Sequence, residues 1–245
     1  MVSREEHRAE HGPIALGIDT GGTYTDAVLV DQSVGAVLTS AKALTTHSDL
    51  AIGISEAIAA ILGPGMPVSV SEIGMVGLST TLATNAIVEG HGSPVCLVLI
   101  GYDQEFIQKR GFEQALVTKD VLYVDGGHNA AGDEMAALDE HAIRDAVRAR
   151  RGRTAAYAVS GYFGVRNPSH ELRARTLIQE AMGSAREHSI PVTCAHELTT
   201  RLNAVRRATT AALNASLIPL LQDLVATVRV TLDEARIRAP LMIVK

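Results

Sequence analysis

LGIDTGGTYTDAVLVD, Leu16 to Asp31, reads as an apolar strand that reaches Asp19, turns at Gly21-Gly22 and returns through Thr23 and Thr25 into a second strand. Glycines admit positive φ and let backbone amides approach a polyphosphate with no Cβ in the way, while threonine hydroxyls add donors to phosphate oxygens. Asp19, at the end of the first strand, is placed to orient a Mg2+ ion through its water shell. A plain hairpin could also carry a Gly-Gly turn and threonines chosen for strand propensity. Asp two residues before the glycine pair, Thr directly after it and the Thr-x-Asp continuation together favour a phosphate-binding turn. It is not a Walker loop, because no Gly-Lys-Ser/Thr follows. Nor is it a dinucleotide fingerprint, because the glycines lead into a strand rather than a helix.

Working outward, apolar runs of strand length fall at residues 14–19, 25–31, 36–43, 73–79, 95–101, 121–124, 155–161 and 192–196. Helical periodicity covers 49–62, which stops at Gly63-Pro64, and 139–151, which opens on an acidic cap. Asn167-Pro168 supplies a cap and a first-turn proline for a helix reaching about Glu187. A last helix spans about Leu202 to Leu232, where Pro219 removes one backbone bond and should produce a kink. Tight-turned strands followed by alternating strand and helix indicate an α/β fold with a mixed sheet. The expected organisation is a charged leader over 1–13, a phosphate-binding region over 14–125, a second α/β region over 126–238 and the start of a truncated strand over 239–245. The glycines of GGHNAAG, Gly126 to Gly132, mark the expected domain boundary.

The chain has 245 residues, 47% apolar and 20% charged, with three Phe, five Tyr and no Trp, so its core must be built mainly from Ala, Val, Leu and Ile. A net charge of −5 argues against a nucleic-acid partner, which would need a concentrated positive surface. The basic run Arg148 to Arg153 closes a predicted helix, where cations complement the helix dipole. No uncharged stretch reaches the ~20 residues of a membrane span, and the leader lacks an apolar signal-peptide core. Cys96 and Cys194 lie in apolar runs without metal or disulfide spacing, which points to buried thiols and a cytoplasmic setting.

Thr80, Thr81 and Asn85 follow a strand and open a helix, where amides and hydroxyls can hold an anion, although Ser79 or Thr80 could serve simply as an N-cap. His128, with Asp125 and Asp133 nearby, offers an imidazole and carboxylates suited to zinc, iron or manganese, or is an ordinary loop histidine. His170 sits in the first turn of a capped helix and reads as structural. His196-Glu197 ends a strand, a common place for functional residues, and Arg207 could meet a phosphate or a carboxylate.

The hairpin resembles the first phosphate motif of the actin/hexokinase/Hsp70 superfamily, and GIDTGGTYTDAVLVD resembles the hydantoinase A/5-oxoprolinase family most. STTLATNAIVE (79–89), NPSHE (167–171), His196-Glu197 and then Arg207, Thr210 and Asn214-Ala215 are similar to further motifs of that family. The chain departs from the pattern at Leu78-Ser79, where the family has His-Gly, and at Asn203 to Arg207, where it has Arg-Glu-Tyr-Glu-Arg.

The resemblance implies a ribonuclease H-like (actin-like ATPase) mixed sheet with an opening hairpin and flanking helices, forming only part of a two-lobed fold. It further implies ATP and Mg2+ as cofactors. Asp19 would organise the metal, and Gly21, Gly22, Thr23, Thr25, Thr80, Thr81 and Asn85 would hold phosphates. The implied parent is an oligomeric hydrolase that phosphorylates and opens a cyclic amide, with a hydantoinase B-like companion subunit. The same resemblance also admits the ATP-consuming subunit of an acetone or acetophenone carboxylase, or a non-catalytic nucleotide-binding module.

Overall fold

A computed structural model of the chain describes residues 13–46, 50–183 and 190–244. In chain order the elements are β1 (Ile14–Thr20), β2 (Tyr24–Asp31), β3 (Ala36–Leu44), α1 (Leu50–Ile61), β4 (Ile73–Thr80), α2 (Leu82–Glu89), β5 (Val95–Ile100) and α3 (Gln104–Lys109). They continue with β6 (Val121–Val124), α4 (Glu140–Ala149), β7 (Ala156–Gly161), α5 (Ser169–Met182), β8 (Val192–Cys194), α6 (Ala195–Leu198), α7 (Ala204–Glu234) and β9 (Leu241–Ile243). The chain divides into two compact units, one made of residues 1–85 with 221–245 and the other of 86–220.

The first unit is built on a five-stranded mixed sheet ordered β3-β2-β1-β4-β9. β1 pairs antiparallel with β2 and parallel with β4, so Asp19 lies opposite Asp26 on one side and Ser79 on the other. β2 alternates strictly, burying Thr25, Ala27, Leu29 and Asp31 and turning Asp26, Val28 and Val30 to the other face, the period expected of a pleated strand. Ile54, Ala57, Ile58 and Ile61 of α1, with Leu224, Val228 and Leu232 of α7, pack on Leu16, Ile18, Leu29 and Leu78. Each of the Val, Leu and Ile side chains among these contributes about 1.5–3 kcal/mol on full burial.

The second unit carries a four-stranded, all-parallel sheet ordered β6-β5-β7-β8. β5 and β7 are buried along their whole length, as strands covered on both faces must be. Cys96, Val98, Tyr157 and Val159 face α4 and α5, whereas Leu97, Leu99 and Ala158 face a stripe on α7 formed by Ala208, Ala211, Ala212 and Ala215. Those four alanines recur at helical spacing and give the helix a small-residue face against the sheet.

Several expectations change. The break foreseen at Gly126 to Gly132 lies inside the second unit. Its glycines serve close packing rather than a linker: Gly127 has φ 101°, and a Cβ there would come 3.1 Å from Cα of Gly101. α5 stops at Met182 against Gly183, which adopts φ 94°, short of Glu187, and Glu187 itself lies outside the described residues. The leader 1–12 and the predicted helix start at Asp49 also lie outside them. His196 belongs to the short helix α6 instead of ending a strand. α7 passes through Pro219 and is long and apolar enough to cross a bilayer, which a search for uncharged stretches misses. Its alanine stripe and its Leu224, Val228 and Leu232 are nonetheless core residues. Both cysteines are buried and unpaired.

Candidate functional site

The hairpin tip is held rigidly from below. The amide of Gly21 donates to the carbonyl of Tyr24 at 2.9 Å and that of Thr45 to the carbonyl of Thr23 at 2.9 Å. Thr80 and Thr81 approach the same turn, because β4 runs parallel beside β1: the Thr80 hydroxyl and the Thr81 amide both donate to the carbonyl of Thr20, at 3.0 and 3.3 Å. Thr80 Oγ1 also accepts from the amide of Leu82 at 3.0 Å and so starts α2. Asn85, one turn further on, donates through Nδ2 to Thr81 Oγ1 at 3.4 Å. It sits so near the tip that a Cβ on Gly22 would come 2.8 Å from its Nδ2. Sequence stretches sixty residues apart thus form one cluster, as the phosphate reading requires.

What this cluster offers is a set of unspent donors. Among the described residues, the amides of Gly22 and Thr23 in the turn and of Ala83 and Thr84 in the first turn of α2 have no protein acceptor. The Thr20 hydroxyl is buried with no partner. Thr20 shares the strand parity of Leu16 and Ile18, so its hydroxyl lies under the turn; the free amides of the turn and of the helix start are what fit an anion. The exposed carboxylate of Asp19 stands in a row with Ser79 and with Asp26, which pairs with Lys42 at 2.9 Å. The donor set suits phosphate oxygens, and a free, exposed carboxylate suits a hydrated Mg2+.

Two members of the predicted set differ in detail. Thr25 is fully buried, and its hydroxyl is shared with Thr45 Oγ1 at 3.1 Å, so it braces the turn from beneath instead of facing a ligand. Its parity with Ala27 and Leu29 explains why. Thr80 likewise spends its hydroxyl on the cap.

A second polar cluster lies at the carboxyl ends of β7 and β8. Glu171, 1% exposed, accepts from the amide of Gly161 at 2.7 Å, from the amide of His196 at 3.0 Å and from His196 Nδ1 at 2.6 Å. Arg207, also 1% exposed, donates to the carbonyls of Gly161, Tyr162 and Arg201 and forms no ion pair with a carboxylate among the described residues. Arg175 pairs with Glu197 and holds its carboxyl below the usual range. Glu171, Cys194 and His196 bring three potential metal-ligand atoms within 4.8 Å of one another. Both carboxylate oxygens are already taken by N–H groups, and burial pushes the Cys194 thiol up to about 12. The residues therefore form a hydrogen-bond clamp that does not fit a cation.

His128 lies against His170, ring centroids 4.3 Å apart and planes tilted by 45°, with Nε2 at 3.2 Å from Ser169 Oγ. Asp133, expected beside it as a ligand, instead accepts from Asn129. The Nδ1 of His170 accepts from the amide of Gly127 at 2.9 Å while its Nε2 meets Glu134 at 2.9 Å, a structural arrangement as expected.

A family model described as the hydantoinase/oxoprolinase N-terminal region matches residues 15–182. The caprolactamase α subunit of Pseudomonas jessenii is 28% identical over 98% of the chain and 35% of the relative's length. The acetophenone carboxylase γ subunit of Aromatoleum aromaticum is 29% identical over 85% of the chain and 32% of the relative's length. The crystal structure of the ATP-dependent caprolactamase from Pseudomonas jessenii superposes with a TM-score of 0.69 at 29% identity, covering 94% of this chain and 35% of that one. The chain thus spans about a third of the length of the curated relatives it matches.

Proposed function

Because the chain belongs to the hydantoinase/oxoprolinase N-terminal family, we propose that its hairpin tip binds the phosphates of ATP in a longer enzyme that activates and opens a cyclic amide. The observation that carries this reading is that the hairpin turn, with free amides at Gly22 and Thr23, and the start of α2, with free amides at Ala83 and Thr84, are held together through the carbonyl of Thr20. The likeness to an ATP-dependent caprolactamase supports it.

In this reading Gly22 and Thr23 present main-chain donors to phosphate oxygens, Gly21, whose own amide is held by the carbonyl of Tyr24, shapes the turn that aims them, and the Thr81 hydroxyl and Asn85 stand on the opposite wall. Asp19 orients the water shell of Mg2+, which when bound neutralises phosphate charge. Transfer of the γ-phosphoryl group of ATP to the lactam carbonyl oxygen releases ADP; water adds to the activated carbon, the ring C–N bond breaks as the nitrogen takes up a proton, and a second water splits the resulting acyl phosphate into carboxylate and inorganic phosphate. Positioning and charge neutralisation account for most of the rate, as in other phosphoryl transfers. The remainder of the nucleotide cleft is supplied by sequence outside this chain. A companion subunit is part of the proposal, since both curated relatives are named as subunits, and so is a cytoplasmic setting, which two unpaired cysteines suit.

The likeness to an acetophenone carboxylase subunit supports a second reading, ATP-driven carboxylation of a ketone. The two separate in one assay. The complete protein with its companion subunit is given ATP·Mg2+ and either ε-caprolactam, hydantoin and 5-oxoproline or acetone and acetophenone with bicarbonate, and ADP release is measured. Release stimulated only by ketones would refute the cyclic-amide reading in favour of the second.

A further inference from the structure

We propose that the pocket at the carboxyl ends of β5 and β7 is where the cyclic amide's ring sits, an assignment that rests on the reading above. This pocket is a cavity of about 680 Å3 lying wholly within the second unit, and small-molecule sites fall in the range of about 300–1,000 Å3. The carboxyl edge of a parallel sheet is where open α/β folds present their ligands. Tyr102, Phe106, Ile107, Phe112 and Tyr162 make its apolar walls. Two of those rings remain in solvent to an unusual degree, Phe106 48% and Tyr162 45% exposed, so the walls have apolar surface still to bury. The inner ring is fixed: Tyr102 Oη bonds Ser160 Oγ at 2.8 Å and the carbonyl of Ala204 at 3.0 Å, and its ring meets Tyr162 edge-on at 5.5 Å.

The polar groups of the same pocket match an amide and not merely an apolar body. Asn203 Oδ1 takes the amide of Arg206 at 3.0 Å, while the amides of Ala204 and Val205, residues that line the cavity, have no acceptor among the described residues. They can donate to a carbonyl oxygen. Across the pocket, Asp103 spends Oδ1 on the amide of Phe106 at 3.0 Å and keeps Oδ2 to accept a ring N–H. A ketone has the carbonyl but no N–H to give.

The test uses the complete protein with its companion subunit, calorimetry without nucleotide, and ε-caprolactam, hydantoin, 5-oxoproline and acetophenone as probes. Asp103→Asn keeps a helix-capping side chain and removes the free acceptor. Ala204→Pro keeps a residue tolerated at the first helical position and removes a donor. Asp103→Asn should weaken the bound cyclic amide about tenfold and leave acetophenone unchanged, whereas Ala204→Pro should weaken both about tenfold, the effect of about one hydrogen bond. Unchanged ATP binding checks that each variant is folded. Failure of every cyclic amide to bind, or binding that both variants leave intact, overturns the assignment. If cyclic amides stimulate ADP release with an unaltered KM in both variants, the pocket assignment falls and the functional reading stands. If the variants weaken binding as predicted but no cyclic amide stimulates ADP release, the functional reading falls and the pocket stands.

Discussion

Replacing Glu171 by Gln tests how much of the second unit's carboxyl edge hangs on one buried charge. The carboxylate accepts three N–H groups, one from Gly161 and two from His196, at 2.6–3.0 Å. A glutamine can turn its oxygen toward His196 and keep two of them, but its amide group then faces the N–H of Gly161, donor against donor. Leaving that buried donor unsatisfied costs about 1–3 kcal/mol, and weakening two charge-assisted bonds to neutral ones costs about 1 kcal/mol each. The opposite orientation orphans two donors and is worse. The expected loss is therefore roughly 3–5 kcal/mol, a large share of a typical domain's 5–15 kcal/mol. Urea unfolding of wild type and Glu171→Gln, with amide hydrogen exchange at Gly161 and His196 as a local readout, measures it. A loss under about 1 kcal/mol, with exchange at both amides unchanged, would show that the clamp does not hold this edge together.

Further outcomes are open to direct measurement. Gly22→Ala places a methyl 2.8 Å from Asn85 Nδ2, the far end of a side chain that can swing away, so stability should change by less than ~1 kcal/mol while ATP affinity of the complete enzyme falls tenfold or more; unchanged nucleotide affinity in calorimetry would remove the hairpin from the site. Burial raises both thiols, Cys96 and Cys194, to about 12, so alkylation by iodoacetamide at pH 8 should be negligible in the folded chain and rapid once it is unfolded, as intact-mass spectrometry would show. Burial and the neighbouring His170 hold His128 below the usual histidine range. The unfolded chain therefore binds a proton at a pH where the folded one does not. Stability contributed by neutral His128 is complete above about pH 6.5 and lost as pH falls through the lower folded value, so the melting temperature should drop more between pH 7 and 5 in wild type than in His128→Gln.

The hairpin was readable because strand period, glycine pair and flanking threonines agree locally. β5 and β7 were readable because continuous apolar runs identify doubly covered strands. Thr25 shows a signal that was present and not used: counting by twos from Ala27 and Leu29 turns its hydroxyl into the core. Arg207 is similar, since it lies one helical turn before Ala211 on the buried face of α7. The union of Glu171 with His196 and Gly161 could not be read in the same way. It depends on β8 pairing beside β7, a long-range register with no local signature. The glycines at 126 and 127 misled for a related reason, because a flexible linker and a close backbone crossing ask for the same residue.

The division of the first unit between residues 1–85 and 221–245 also sets an order of events on the ribosome. The hairpin emerges well before α7, yet the aliphatic layer that Leu29, Ile54 and Ile58 form is completed only by Leu224, Val228 and Leu232. The intervening residues, with their own parallel sheet and cores, leave the exit tunnel in between, so the second unit can be finished before the first is sealed. Until then the nascent first unit presents an uncovered apolar face. Truncation before Leu221 makes that condition permanent, and such pieces should be recovered as aggregates or chaperone-bound chains and not as working binding modules.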